Sequence, residues 1–260
     1  MNHNYKNKSL GQYWLNDQST LQAICESANV SEQDVVLEIG PGLGSLTEVL
    51  IESAKKVIAV ELDNSLVRAL ENRLSSKNLS IFESDILKFD LTKLPKDYKV
   101  IANIPYYLTS NLLRVLCEST NPFSRAALLI QKEVAERVVA KPGSMSILSV
   151  SVQFYCSANL GIEVPAKMFN PPPKVDSQLL LLTRREQPLF PSVNTKEFFR
   201  IVKAGFSQRR KNLLNSLSAG LRKDKELIKK LLDEANITQT RRAQTLSMGE
   251  WYELYRLLNP

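Results

Sequence analysis

The 260 residues carry 34 Lys and Arg against 27 Asp and Glu, a net charge of +7, and are 43% hydrophobic. That is enough to bury one large core and a smaller one. No apolar run approaches the roughly 18–20 residues of a membrane span, and the polar stretch Met1–Tyr13 has no apolar segment of a secretion signal. Cys25, Cys117 and Cys156 stand far apart and the one histidine is His3, which excludes a disulfide framework, a zinc centre and a histidine general base. The expectation is a reduced, cytoplasmic protein with no metal, whose reaction needs little proton transfer by side chains.

Lys8-Ser9-Leu10-Gly11-Gln12-Tyr13-Trp14-Leu15 comes first, a glycine turn followed by large aromatics. A helical pattern runs on through Leu21, Ile24, Cys25 and Ala28. Asp34–Ile39 is a continuous apolar strand with Glu38 near its end, and Gly40-Pro41-Gly42-Leu43-Gly44 follows at once. Leu46, Val49, Leu50 and Ala54 then mark a helix. Strand, glycine turn and helix form the first unit of a nucleotide-binding α/β fold, in which glycines let backbone pass close to a ligand. Lys56–Glu61 is the second strand, and Glu61 at its end stands where an acid accepts from ribose hydroxyls. Asp63 reads as the cap of the next helix. Leu79–Glu83 is a third strand, and Asp85 just past it can accept from an adenine amine.

Tyr98–Ala102 is the fourth strand and runs into Asn103-Ile104-Pro105-Tyr106-Tyr107. Pro105 cannot continue a central strand, and it pushes Ile104 toward an extended backbone. An amide side chain, a bare carbonyl and an aromatic face then meet at the carboxyl end of a strand, where open α/β sheets bind ligands. Two acceptors and a flat ring suit a nucleobase with an exocyclic amine. The plain alternative is a turn with an aromatic lid on the core.

Ala126–Gln131 is a fifth strand. Ser146–Cys156 carries small, β-branched and aromatic residues that fit a helix start and a strand end equally. Val164–Ser177 holds three consecutive prolines and leads into the last strand, Gln178–Leu182. Phe169, just before the prolines, is expected as a second aromatic wall opposite Tyr106. Beyond Arg184-Arg185 the pattern is helical, with one helix expected to run from Phe198 through the basic Phe206–Leu214 segment. Residues 184–260 hold 16 Lys and Arg against 8 Asp and Glu, whereas residues 1–183 hold 18 against 19. The division is therefore a catalytic domain, 1–183, and a basic helical domain, 184–260, whose field suits nucleic acid.

With these residues in hand, the chain resembles the rRNA adenine N6-dimethyltransferases, most nearly those acting on bacterial small-subunit (16S) rRNA. The resemblance rests on Gly11-Gln12 with Leu15, Glu38–Gly42, Glu61, Ser84-Asp85, Asn103–Tyr106, Pro171–Ser177 and Phe206–Lys211. It implies a Rossmann-like class I methyltransferase fold: a seven-stranded, mostly parallel sheet with a small all-α C-terminal domain. It implies S-adenosylmethionine as cofactor, held by Tyr13, Leu15, Gly40, Glu61, Asp85 and Asn103. Asn103, Ile104, Tyr106 and Phe169 would act on the target base, and Arg209, Arg210 and Lys211 on RNA. The partner implied is 16S rRNA in an immature small subunit, met by a monomer that uses no membrane or metal. The related 23S rRNA methyltransferases and a non-catalytic assembly factor are the alternatives. Two departures from the family pattern stand out: Tyr13-Trp14 replaces Asn or His followed by Phe, and the loop Gly143–Ser149 is shorter and lacks Tyr-Gly-Arg.

Overall fold

The computed structural model describes residues 13–208 and 210–259. The described chain divides into two compact units. One comprises the chain through Ala135 together with Ser157–Arg184; the other comprises Glu136–Cys156 and Arg185 onward. The break after Arg184 falls where the sequence changes character, but Glu136–Cys156 groups with the C-terminal helices instead of the sheet. None of the described helices is long and apolar enough to cross a membrane.

Two short strands stand apart from the main sheet of the first unit. β1 (Trp14–Leu15) pairs antiparallel with β8 (Phe169–Asn170), Leu15 opposite Phe169. The main sheet has seven strands: β2 (Val35–Ile39), β3 (Lys56–Glu61), β4 (Leu79–Glu83), β5 (Lys99–Asn103), β6 (Arg125–Gln131), β7 (Cys156–Val164) and β9 (Ser177–Arg184). Their spatial order is β4-β3-β2-β5-β6-β9-β7. β2 through β6 pair in parallel, and β9 runs antiparallel to β6. Parallel strands are covered on both faces, so they need unbroken apolar runs; Val100, Ile101 and Ala102 of β5 are all fully buried. α1 (Gln18–Ser27) leads into β2, and the crossovers are α2 (Ser45–Ser53), α3 (Asn64–Arg73) and α4 (Thr109–Glu118). Asp63 caps α3 by accepting from Ser65 N, as its position suggested.

After β6 comes α5 (Lys132–Val138). The stretch at 146–156 then resolves as a helix, α6 (Ile147–Tyr155), that passes directly into β7. Ser146 and Ser149 form a reciprocal capping box that starts α6. Pattern alone missed β7 beyond Cys156, because half-exposed Ser157–Gly161 breaks the apolar run.

In the second unit the helix expected through residues 206–214 is two helices. α7 (Thr195–Phe206) ends at Phe206, and α8 (Leu213–Leu221) starts from the Asn212 cap. Gln208, Arg210 and Lys211 are exposed and offer no buried face to keep the chain helical. α9 (Lys225–Glu234) and α10 (Met248–Leu258) follow. Phe198 stacks on Phe154 with ring centroids 5.1 Å apart, and Phe190 stacks on Tyr252 at 4.4 Å. Gly220 lets α8 lie against α7: a Cβ there would sit 2.7 Å from Ala204 Cα and Cβ. Gly220→Ala should therefore lower unfolding free energy by about 1–3 kcal/mol through overpacking, measured by urea titration, despite alanine's better helix propensity.

Candidate active site

The parallel register brings four strand ends to one edge. Ile39 lies beside Val60, Glu38 beside Ile101, and Glu61 beside Glu83. The glycine turn after β2, Glu61 closing β3, Asp85 past β4 and Asn103 closing β5 are thus neighbours. They line one cavity together with Tyr13 and Tyr106. Every predicted cofactor residue is on its wall, Leu15 and Gly40 included.

The glycine turn has the backbone that only glycine adopts freely, with φ of +67° at Gly40 and +57° at Gly42. A Cβ on Gly42 would lie 2.1 Å from Cζ3 of Trp14, so the indole rests on bare backbone. Arg73 of α3 ties the turn from behind, donating to the Leu43 carbonyl and pairing with Glu48 at 2.7 Å.

Three acids serve this cavity in different environments. Glu61 is 8% exposed and accepts from the backbone N–H groups of Leu62 (2.8 Å), Asp63 (3.0 Å) and Gly42 (3.2 Å). Burial raises its pKa, and those N–H groups oppose the rise. Asp85 is half-buried and holds Leu87 N at 3.0 Å. Glu38 is 1% exposed, and neither carboxyl oxygen has a hydrogen-bond partner of ordinary geometry. Burial pushes its pKa up to about 8; the nearby Thr47 hydroxyl offsets part of this and the charge of Glu61 adds to it. Sequence reasoning gave Glu38 no role. The signal was there: an acid inside the apolar run Val35-Val36-Leu37-Glu38-Ile39, directly before the turn.

At the end of β5, Asn103 donates from Nδ2 to the Tyr13 carbonyl at 3.1 Å, across 90 residues of sequence. That contact fixes the amide plane and leaves Oδ1 as the acceptor available to a ligand. Ile104 is 1% exposed and its N–H donates to Leu129 O at 3.1 Å, so what it offers the cavity is backbone. A 3₁₀ turn, Tyr106–Leu108, follows Pro105. The Tyr106 hydroxyl is 3.0 Å from Ser177 Oγ, itself fully buried. Asp176 accepts from Ala166 N at 2.8 Å. The proline-rich segment thus ends in two polar clasps, one of which aims the Tyr106 ring.

Phe169 is a core residue. It is 4% exposed, packs in the core cluster with Leu15 and Leu179, and is absent from the cavity wall. Its backbone pairing with Leu15 turns the ring into the core. The ring that lies against Tyr106 is Tyr13. In the second unit, Arg210 and Lys211 are exposed on the loop between α7 and α8; Arg209 lies outside the described residues. No group of three or more metal-ligating side chains occurs among the described residues.

A family model described as ribosomal RNA adenine dimethylase matches residues 3–254. A ribosomal RNA small subunit methyltransferase A from Dehalococcoides mccartyi is 43% identical over 251 residues, covering 95% of this chain and 86% of that protein. One of the same name from Shouchella clausii is 44% identical over 259 residues, covering 95% and 88%. Among solved structures, a dimethyladenosine transferase from Plasmodium falciparum superposes with a TM-score of 0.77 at 29% identity, covering 92% of this chain and 95% of that one. The 23S rRNA methyltransferase ErmE superposes equally well, 0.77 at 28% identity, covering 95% and 100%.

The burial of Glu38 has a pH signature. In the unfolded chain its carboxyl ionises near 4.5, whereas in the folded chain it holds its proton to about 8. Between those values the folded state binds the extra proton, so its contribution to stability falls as pH rises. Glu38→Gln removes that slope: its melting temperature should approach the wild-type value near pH 5 and exceed it at pH 8, read by a pH series of thermal melts.

Proposed function

Since the chain belongs to the ribosomal RNA adenine dimethylase family, whose members transfer methyl groups from S-adenosylmethionine to adenine N6, we propose that it acts on 16S rRNA of the immature small ribosomal subunit. The target would be two adjacent adenines in the 3′-terminal hairpin loop, each dimethylated, in the cytoplasm. The observation that carries this reading is Asn103: it lines the cavity with Tyr106, and its amide nitrogen donates to the Tyr13 carbonyl, which leaves Oδ1 as the acceptor for a ligand.

The cavity fits the cofactor. The turn at Gly40 and Gly42 lets backbone approach closely, Glu61 suits the ribose hydroxyls, and Asp85 suits the adenine amine. Glu38, buried with two unsatisfied oxygens, is the partner for the methionine ammonium, whose charge would repay its ionisation. When bound, the cofactor supplies an activated methyl on sulfur, for displacement in line with the leaving group.

The difficulty lies with the nucleophile, because adenine N6 shares its lone pair with the ring. Asn103 Oδ1 and the Ile104 carbonyl would accept both amine hydrogens and favour a more tetrahedral nitrogen with its lone pair toward the methyl. That is orientation plus fixed dipoles, with no general base required. Tyr106 gives the extruded base a flat surface, and the Ser177 clasp holds that ring in place. The basic second unit, with Arg209, Arg210 and Lys211, would bind the phosphate backbone. Small-subunit specificity rests on relatives above 40% identity. The equal superposition on ErmE keeps large-subunit RNA as the second reading.

Labelled cofactor incubated with unmethylated small and large subunits, followed by nucleoside mass spectrometry, separates the two: dimethyladenosine should appear in small subunits only. Asn103→Ala should lose at least about 100-fold in turnover, as for removal of one preorganised polar group, while RNA binding by filter retention stays intact; wild-type turnover would refute its role. Tyr106→Ala should raise KM for RNA about fivefold or more, and Tyr106→Phe should restore most of it, since the ring remains and only the Ser177 clasp is lost.

A further inference from the structure

We propose that Leu62 and Tyr107 frame a port through which spent cofactor, S-adenosylhomocysteine, is exchanged while the target base stays in its slot. The proposal rests on the adenine-dimethylating reading above and names the route that repeated transfer requires. A dimethylated amine takes up two methyl groups and each cofactor brings one, so the cavity must be emptied and refilled between transfers. Were the base slot the only way in, the RNA would have to withdraw each time. The cavity has an opening elsewhere. Among the described residues that line it, only Leu62 and Tyr107 are exposed, at 51% and 59%; the others are buried or half-buried. The glycine turn, by contrast, is roofed by the N-terminal segment: the Trp14 indole lies on Gly42, and Asn16 accepts from Ser45 Oγ at 2.9 Å.

The 3₁₀ turn Tyr106–Leu108 sends neighbouring tyrosines to different ends of the cavity. Such a turn has three residues per revolution, so successive side chains point about 120° apart. Tyr106 reaches toward β9, whose first residue, Ser177, meets its hydroxyl. Leu108 is buried. Tyr107 turns toward β3 and β4: partial burial raises the pKa of its phenol, and the charges of Glu61 and Asp85 add to the rise. In the strand order β4-β3-β2-β5-β6-β9 the two directions diverge from β5. One leads to the acids suited to ribose and adenine, with Leu62 directly after Glu61; the other leads to the base slot. The port and the slot therefore lie on opposite sides of one short turn. Exposed side chains change rotamer within picoseconds to nanoseconds, so Leu62 and Tyr107 can let a ligand pass without disturbing the core.

Release of tritiated S-adenosylhomocysteine into an excess of the unlabelled compound measures the port directly. From the wild-type protein, release with saturating unmethylated small subunits should stay within about fivefold of release without them, and a larger fall, the mark of a ligand shut in behind its substrate, overturns the port. Leu62→Trp narrows the opening at an exposed position. Its release should slow about tenfold while Kd by calorimetry moves less than about threefold, because a gate alters entry and release alike. Tyr107→Ala should speed release about threefold or more. Both positions are exposed, so melting temperatures should stay near that of the wild type. Unchanged release in both variants overturns the port, and so does a Leu62→Trp effect carried wholly by Kd. Methyl transfer to the same subunits keeps the two readings apart. A wild type that methylates neither subunit overturns the adenine reading and exchange on held RNA with it; an active wild type whose release stalls on the subunit overturns the port alone.

Discussion

The parallel register of β3, β2 and β5 is the constraint on which the site depends. Ile39 opposite Val60 and Glu38 opposite Ile101 bring the glycine turn between Glu61 on one side and Asn103 on the other. Side chains on a strand alternate faces, so a slip of one residue would turn Glu61 or Asn103 to the opposite side of the sheet. The register is secured by burial of both faces: Val36, Leu37, Val57, Val100 and Ile101 are fully buried. Their apolar surface, at about 25 cal/mol per Å², holds the strand ends in line. The polar groups at the edge are thus placed by a core that none of them helps to build.

A second layer of control comes from four consecutive residues of the N-terminal segment. The Tyr13 carbonyl holds Asn103, the Trp14 indole lies on Gly42, Leu15 pairs with Phe169, and Asn16 accepts from Ser45 Oγ at 2.9 Å. Each residue touches a different element: the end of β5, the glycine turn, β8 and the start of α2. The segment thereby links the cavity to the proline-rich stretch that ends at Ser177, which in turn orients Tyr106. The Trp14 indole is accommodated because Gly42 has no side chain. Tyr13 has a different consequence, since it puts a phenol ring on the cavity wall.

The electrostatics of the cavity follow from burial. Glu38 and Glu61 are both nearly inaccessible, and the charge of Glu61 adds to the rise in the Glu38 pKa. In such surroundings a hydrogen bond is worth more than in water and an unpaired polar group costs more. Glu61 meets that cost with three backbone N–H donors, whereas Glu38 has none. The fold therefore carries an unsatisfied acid whose natural remedy is a cationic ligand. The stretch of chain richest in positive charge lies far along the sequence, in the second unit, where Arg210 and Lys211 are solvent-exposed.

What the sequence determined alone was local in origin. Apolar runs ending in Gly40, Glu61, Asp85 and Asn103 announced parallel strands with chemistry at their carboxyl ends, because a buried strand needs continuous hydrophobicity and the glycine or polar residue after it breaks the run. The charge shift after residue 184 announced a basic helical unit for the same reason: composition is a local property. Only tertiary structure decided the rest. Phe169 lies in the core because pairing with Leu15, 154 residues away, turns it inward. The apolar run around Glu38 could flag an acid out of place, but its isolation is a matter of what packs around it. Residues 136–156 join the helical unit because they pack with helices distant in sequence, whereas the helix expected through 206–214 stops at Phe206 where exposed Gln208, Arg210 and Lys211 follow. Contacts across such separations depend on which surfaces meet after collapse, and no periodicity within one segment records that.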